Sequence, residues 1–256
     1  MPFELPDAIC FRVTRSCNAR CSFCLAPPDG SHPDETELRL RLDWLLERGV
    51  RSSQFCGGEP TLHPALPQLL AHVHGRGAKT SLSTNAISLP DGLLPQLRAT
   101  GTRVRVSLHG DRSQHDAIVG SGCYALTTRN LRRLLAAGVS TSLQTTVVSG
   151  GSRVVDWAAR FCLEHGVRRL GVLPFLPRGR GAERRGEFGL SASERNSLRE
   201  LVALKRHEFS GRLDLRWLDF TARSIPVVET DGRVVLEGAT EAMDRLLCTI
   251  PGAAHR

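Results

Sequence analysis

Short apolar runs alternate along the chain with stretches of helical periodicity. Runs of strand character lie at Ala8–Thr14, Ser53–Cys56, Thr80–Thr84, Val104–Leu108, Thr141–Val148 and Arg169–Leu173. Amphipathic patterns fill the intervals at Glu35–Glu47, Ala65–His74, Asp91–Ala99, Ala125–Ala137 and Val154–Glu164, with the spacing that gathers apolar residues on one helix face. Gly49, Gly75, Gly101, Gly138 and Gly166 stand where a helix C-terminus favours glycine. Strand, helix, strand repeated in this way is the rhythm of right-handed βαβ crossovers. It predicts an α/β fold with six parallel strands, in an open sheet or an incomplete barrel, and a site at the carboxyl ends of the strands.

After Leu173 the rhythm breaks. Pro174-Phe175-Leu176-Pro177 leads into Arg178–Gly186, a loop by composition. A helix follows at about Ser191–His207, capped by Ser191 or Ser193. Short strands are expected around Leu213–Leu218 and Val227–Val235, the second interrupted by a turn at Asp231-Gly232. The reading is therefore a core over residues 1–173 and a substrate-facing C-terminal α+β cap over 174–256.

Composition excludes several classes. With 41% hydrophobic and 23% charged residues, the 256-residue chain can bury a core and is not disordered. No run approaches the ~20 apolar residues of a membrane span, and MPFELPDAIC lacks the basic start and apolar run of a secretion signal. A cytoplasmic protein is expected. The net charge of +8 is almost all arginine, since only Lys79 and Lys205 are lysine. With 5% aromatics and Tyr124 as the single tyrosine, a stacking platform for nucleic acid is poorly supplied, and none is expected as partner.

Eight cysteines without an export signal read as thiols or metal ligands rather than crosslinks. Three crowd into Cys17-Asn-Ala-Arg-Cys21-Ser-Phe-Cys24, just past the first strand. Three thiolates on one loop can hold three irons of a [4Fe–4S] cube and leave the fourth open. Zinc with a further ligand is the alternative. Gly57-Gly58-Glu59-Pro60 follows the second strand. Its glycines permit close backbone approach, and Glu59 offers a carboxylate to a cation.

The triplet joined to GGEP one βα unit later resembles the radical S-adenosylmethionine superfamily. The resemblance runs from about Ala8 to Leu173. It includes Gly58-Glu-Pro-Thr-Leu-His-Pro64, Ser83-Thr84-Asn85-Ala86 at the third strand end, Val106-Ser107-Leu108-His109-Gly110 at the fourth, and His115-Asp116-Ala117-Ile118-Val119-Gly120 followed by Tyr124. It implies an incomplete (βα)6 TIM-like barrel holding one [4Fe–4S] cluster and S-adenosylmethionine, without an auxiliary-cluster (SPASM-type) domain. Reductive cleavage of the cofactor would give a 5′-deoxyadenosyl radical that takes hydrogen from the substrate. An electron donor of flavodoxin or ferredoxin type is implied as partner.

By the same resemblance Cys17, Cys21 and Cys24 ligate the cluster. Phe23, Gly57, Gly58, Glu59, Pro60, Ser83, Asn85, Ser107 and Thr146 contact S-adenosylmethionine. Two positions depart from the pattern. Ala86 replaces a glycine, a harmless change where the backbone stays out of the left-handed region. Val119 replaces an arginine that pairs with the cofactor carboxylate; either another cation such as Arg105 or Arg129 substitutes, or the carboxylate is held by hydrogen bonds alone. His109 stands where an aspartate is commoner and is a candidate catalytic residue. Arg178 and Arg180 are candidate substrate ligands in an electropositive loop, against the alternative of a solvated, mobile segment. The expected substrate is a small polar or anionic molecule, such as a nucleotide, sugar or natural-product intermediate. A maturase of ribosomally made peptides is the alternative, and a degenerate iron–sulfur or zinc binding protein is the reading of a different class.

Overall fold

The computed structural model describes residues 5–221 and 223–251. Six βα units run β1 (Ala8–Thr14), α1 (Glu35–Glu47), β2 (Ser52–Gly57), α2 (Leu66–Gly75), β3 (Lys79–Thr84), α3 (Leu93–Ala99), β4 (Arg103–Ser107), α4 (Arg112–Val119), α5 (Cys123–Ala136), β5 (Thr141–Val147), α6 (Arg153–Glu164) and β6 (Arg169–Pro174). Neighbouring strands from β1 to β6 pair in parallel. The two-residue period of each strand divides its side chains between two faces. Ile9, Phe11 and Val13 of β1 are buried with Leu38, Leu42 and Leu45 of α1 in the main apolar core. The alternate residues face the other side of the sheet.

Local chemistry sets the helix ends. Capping boxes start α1 (Asp34 with Glu37) and α4 (Asp111 with Gln114). The eight-residue α4 has too few apolar positions to show a helical periodicity in the sequence. Left-handed glycines follow α1, α3, α5 and α6 as expected, but Gly75 is the last residue of α2, and Gly77 (φ +75°) takes the left-handed position.

The C-terminal part continues with α7 (Arg180–Glu183), α8 (Arg185–Phe188), α9 (Ala192–Glu208), β7 (Asp214–Trp217), β8 (Ile225–Val228), β9 (Arg233–Glu237) and β10 (Arg245–Thr249). Ser191, not Ser193, caps α9, reciprocally with Glu194. The stretch expected as loop contains the short helices α7 and α8. The strands of this part do not form a separate layer. They extend the sheet at both edges, in the order β10-β9-β8-β1-β2-β3-β4-β5-β6-β7. β7 adds in parallel to β6 and β8 in parallel to β1, while β9 pairs antiparallel with both β8 and β10. The sheet is a partial barrel that does not close. Among the described residues no helix is long and apolar enough to cross a membrane.

Candidate active site

The carboxyl ends of the core strands open onto one cavity of about 310 Å³. Cys17, Cys21 and Cys24 line it from the β1–α1 loop, together with Phe23. Gly57, Gly58 and Glu59 reach it from β2, Ser83 and Asn85 from β3, Ser107 and His109 from β4, and Thr146 from β5. Pro60 does not line this cavity. It begins a buried single-turn 3₁₀ helix, Pro60–Leu62, where its fixed φ suits the first position.

The cysteine loop is held from three sides. The amides of Arg20 and Ser22 donate to the carbonyls of Val119 (3.2 Å) and Ile118 (3.0 Å) at the end of α4. The amides of Gly58 and Glu59 donate to Thr14 O (2.7 Å) and Ser16 O (2.8 Å). A Cβ on Gly57 or Gly58 would collide with those same two carbonyls. The glycine pair is thus required by contact with the chain leaving β1, as well as leaving space at the cavity. Gly179, at φ +54°, packs a missing Cβ against Cys24 O, and the amide of Arg180 donates to that carbonyl at 3.0 Å. The start of the arginine loop is therefore docked on the Cys24 carbonyl, while residues 182–187 are exposed.

Glu59 is 1% exposed and organises two strand ends. Its Oε1 accepts from the Thr61 amide (3.0 Å), the Thr61 hydroxyl (2.7 Å) and the Thr84 hydroxyl (2.7 Å), while Oε2 accepts from the Asn85 amide (2.7 Å). Burial pushes its pKa up against the pull of these donors. Oε2, with one donor, keeps acceptor capacity in a residue that lines the cavity. Asn85 in turn donates to Asn18 Oδ1 (2.9 Å), with Cys17 Sγ at 3.9 Å. Ala86 does enter the left-handed region, at φ 54°. The Thr84 hydroxyl accepting its amide and Asn130 donating to its carbonyl hold it there, which offsets the roughly 1–2 kcal/mol such a conformation costs.

His109 and His115 form a second cluster, with ring centroids 5.8 Å apart and nearly parallel planes. The amide of Thr146 donates to His109 Nδ1 (3.1 Å), and the amide of His109 donates to His115 Nδ1 (3.2 Å). An amide can only donate, so each neutral ring carries its proton on Nε2. Burial pushes His109 down to about 3 and His115 to about 4. His109 therefore offers a neutral N–H, not a charged acid, and its ring meets Phe23 edge-on at 4.9 Å. His115 also lines the cavity, with a buried Nε2 that has no partner among the described residues.

Arg178 contradicts the substrate-clamp expectation. It is 5% exposed, and its guanidinium is engaged by both oxygens of Asp244 (2.6 and 2.9 Å), by Glu237 (3.2 Å) and by the Gly238 carbonyl (3.0 Å). It pins the β9–β10 connection instead of facing the cavity. Arg180 does not line the cavity either, although its charge lies close enough to favour the Cys17 thiolate. The cation in the cavity wall is Arg12, which sequence reasoning passed over as a strand residue and which is paired with Glu229 and Glu237. Neither Arg105 nor Arg129 lines the chamber beside buried Val119. Arg105 faces a separate cavity below it.

Three thiols on one cavity wall fit an iron–sulfur cube in donor chemistry. Burial and the neighbouring sulfurs push Cys21 up to about 12, so the thiolate form demands a cationic centre. Among the described residues, no three His, Cys, Asp or Glu side chains converge as a single metal ion needs.

A sequence profile described as the Radical SAM superfamily matches residues 11–154. The mycofactocin maturase MftC of Mycobacterium ulcerans is 28% identical over 209 residues, 79% of this chain and 56% of the relative. The GTP 3′,8-cyclase of Chlorobaculum tepidum is 32% identical over 151 residues, 56% of this chain and 46% of the relative. The chain spans about half the length of the curated relatives it matches. In fold it is similar to anSMEcpe with bound AdoMet, at TM-score 0.78 and 17% identity over 96% of this chain and 79% of that one. SuiB of Streptococcus suis bound to S-adenosylmethionine gives TM-score 0.75 at 15% identity, over 90% of this chain and 60% of that one.

Proposed function

The chain belongs to the radical SAM superfamily, and from that premise we propose that it holds a [4Fe–4S] cluster on Cys17, Cys21 and Cys24 and positions S-adenosylmethionine for attack on a small polar or anionic substrate. When bound, the cluster and S-adenosylmethionine supply one-electron reductive cleavage, and with it the power to take a hydrogen atom from an unactivated C–H bond. The observation that carries the reading is convergence. Three cysteines and nine of the ten other residues expected at the catalytic or cofactor site line one cavity at the strand ends.

The chain's own residues divide the work. Glu59 Oε2 has acceptor capacity for an ammonium group. The Nε2–H of His109 is a neutral donor beside Phe23, a ring suited to stacking on an adenine edge. Ser83, Ser107 and Thr146 supply hydroxyls. Phe23, Leu173, Phe175 and Leu176 give the wall an apolar part, which excludes water from a reactive site. An electron donor of flavodoxin or ferredoxin type is part of the proposal.

Anaerobic reconstitution with iron and sulfide, followed by dithionite and S-adenosylmethionine, tests this reading. It predicts 5′-deoxyadenosine from the wild type and none from Cys21→Ala. A protein that takes up zinc but no iron overturns it. Peptide maturation is supported as a second reading by the similarity to MftC across 79% of the chain. Arg178 takes no part in that reading, because its guanidinium is engaged by Asp244, Glu237 and the Gly238 carbonyl. Titration with candidate precursor peptides separates the two substrate classes.

A further inference from the structure

Below the cysteine-lined cavity, on the same inner face of the sheet, lies a second cavity of about 320 Å³. Arg103 and Arg105 enter it from β4, Arg169 from β6 and Arg216 from β7, with Gln54 and Gln144 at its upper side. No carboxylate lines it. Asp214 pairs with Arg169 and Arg216 from beside it, both at 2.8 Å. Arg103 and Arg105 make no ion pair among the described residues, and Arg105 instead hydrogen-bonds Gln54 Oε1. Four guanidiniums against one carboxylate leave three charges uncompensated at one cavity. Burial depresses the pKa of Arg105, with Arg103 and Arg169 acting in the same direction and Cys10 and Cys56 against it.

The two cavities adjoin. Gln144 lines both, and Gln54 donates to Ser83 Oγ at 3.0 Å in the wall of the upper one. At about 3.3 Å per residue, Arg105 lies roughly 7 Å and Arg103 roughly 13 Å below Ser107 along β4. The guanidiniums of β4 thus stand at a distance from the upper cavity that an elongated small molecule spans.

We propose that the lower cavity is the subsite for a phosphate-bearing end of the substrate, a diphosphate or longer group, with the reacting carbon in the cavity above. This rests on the reading of the upper cavity as the reaction chamber. A lone carboxylate leaves most of the three charges uncompensated, whereas a diphosphate matches them. Guanidinium forks pair bidentately with phosphate oxygens, and the two glutamine amides supply neutral donors. Arginines otherwise placed to repel one another become a built anion site.

The test is calorimetric titration of pyrophosphate, tripolyphosphate and citrate into the full-length chain at fixed ionic strength, with and without a reconstituted cluster. Pyrophosphate and tripolyphosphate are expected to bind the wild type. Arg105→Gln and Arg103→Ala should each weaken binding at least tenfold, and Arg199→Ala, an equal charge loss on the exposed face of α9, by less than twofold. Arg103 is exposed and unpaired, so its removal leaves the fold in place, as the urea midpoint will show. Absent binding, equal affinity across all variants, or preference for citrate overturns the assignment. Because pyrophosphate binding needs no cluster chemistry, its failure is distinguishable from a failure to produce 5′-deoxyadenosine.

Discussion

The Glu59 carboxylate accepts the backbone amide of Asn85 at 2.7 Å, tying the end of β2 to the end of β3. Three more donors from Thr61 and Thr84 engage its other oxygen, Oε1. Its role is as much to fix two adjacent strand ends as to face a ligand. In Glu59→Gln an amide donor replaces one acceptor oxygen among fixed backbone donors. The expected loss is about 2–3 kcal/mol of unfolding free energy, read from urea denaturation at constant slope. An unchanged urea midpoint would refute this account.

Gly57 and Gly58 contact backbone carbonyls of the chain leaving β1. Alanine at either position must displace the segment that leads into Cys17. Iron loading after reconstitution should fall several-fold in both variants, with a lower melting temperature. Gly186 has open space around it in the short helix α8 and no left-handed backbone, so Gly186→Ala should be neutral or stabilising by about 0.5–1 kcal/mol.

Arg178 holds Asp244 and Glu237 in a largely buried network. Removing it leaves Asp244 without its ion-pair partner, while Glu237 keeps Arg12, at an expected cost of about 3 kcal/mol. Arg178→Ala should raise protease sensitivity between β9 and β10 while leaving pyrophosphate affinity within twofold. A tenfold loss of that affinity, with stability intact, would return Arg178 to the substrate site.

The histidine pair makes stability depend on pH. Both folded pKa values are depressed, to about 3 and about 4, below an unfolded value of ~6.5. Between these limits the unfolded chain binds protons that the folded chain refuses. Stability is therefore fully present above pH ~6.5 and falls as pH drops toward the folded pKa values, by roughly 2 kcal/mol per unit between pH 6 and 5 for the two rings together. Buried His63 shifts in the same direction. Unfolding free energies across this window should show the slope, and His109→Gln should reduce it by about one proton. A flat profile would mean that the rings are protonated in the folded state.

The alternation of strands and helices, the cysteine triplet and the strand-end motifs were legible in the sequence because each depends on residues a few positions apart. Two-residue periodicity assigns a side chain to one face of its strand, and parallel crossovers bring all the strand ends to one side. Those two facts were enough to gather Cys17, Glu59, Asn85, Ser107 and Thr146 around one cavity. The left-handed Ala86 was not legible, since the bonds that hold it there come from Thr84 and Asn130. Nor was the fate of the arginines. Arg12 meets Glu229 and Glu237 across 217 and 225 residues, and Arg178 meets Asp244 across 66. The lower cavity needs side chains from β4, β6 and β7 at once. Which charges meet, and which stay unpaired, depends on how the C-terminal strands join the two sheet edges, and no local pattern carries that information because the partners share no periodicity.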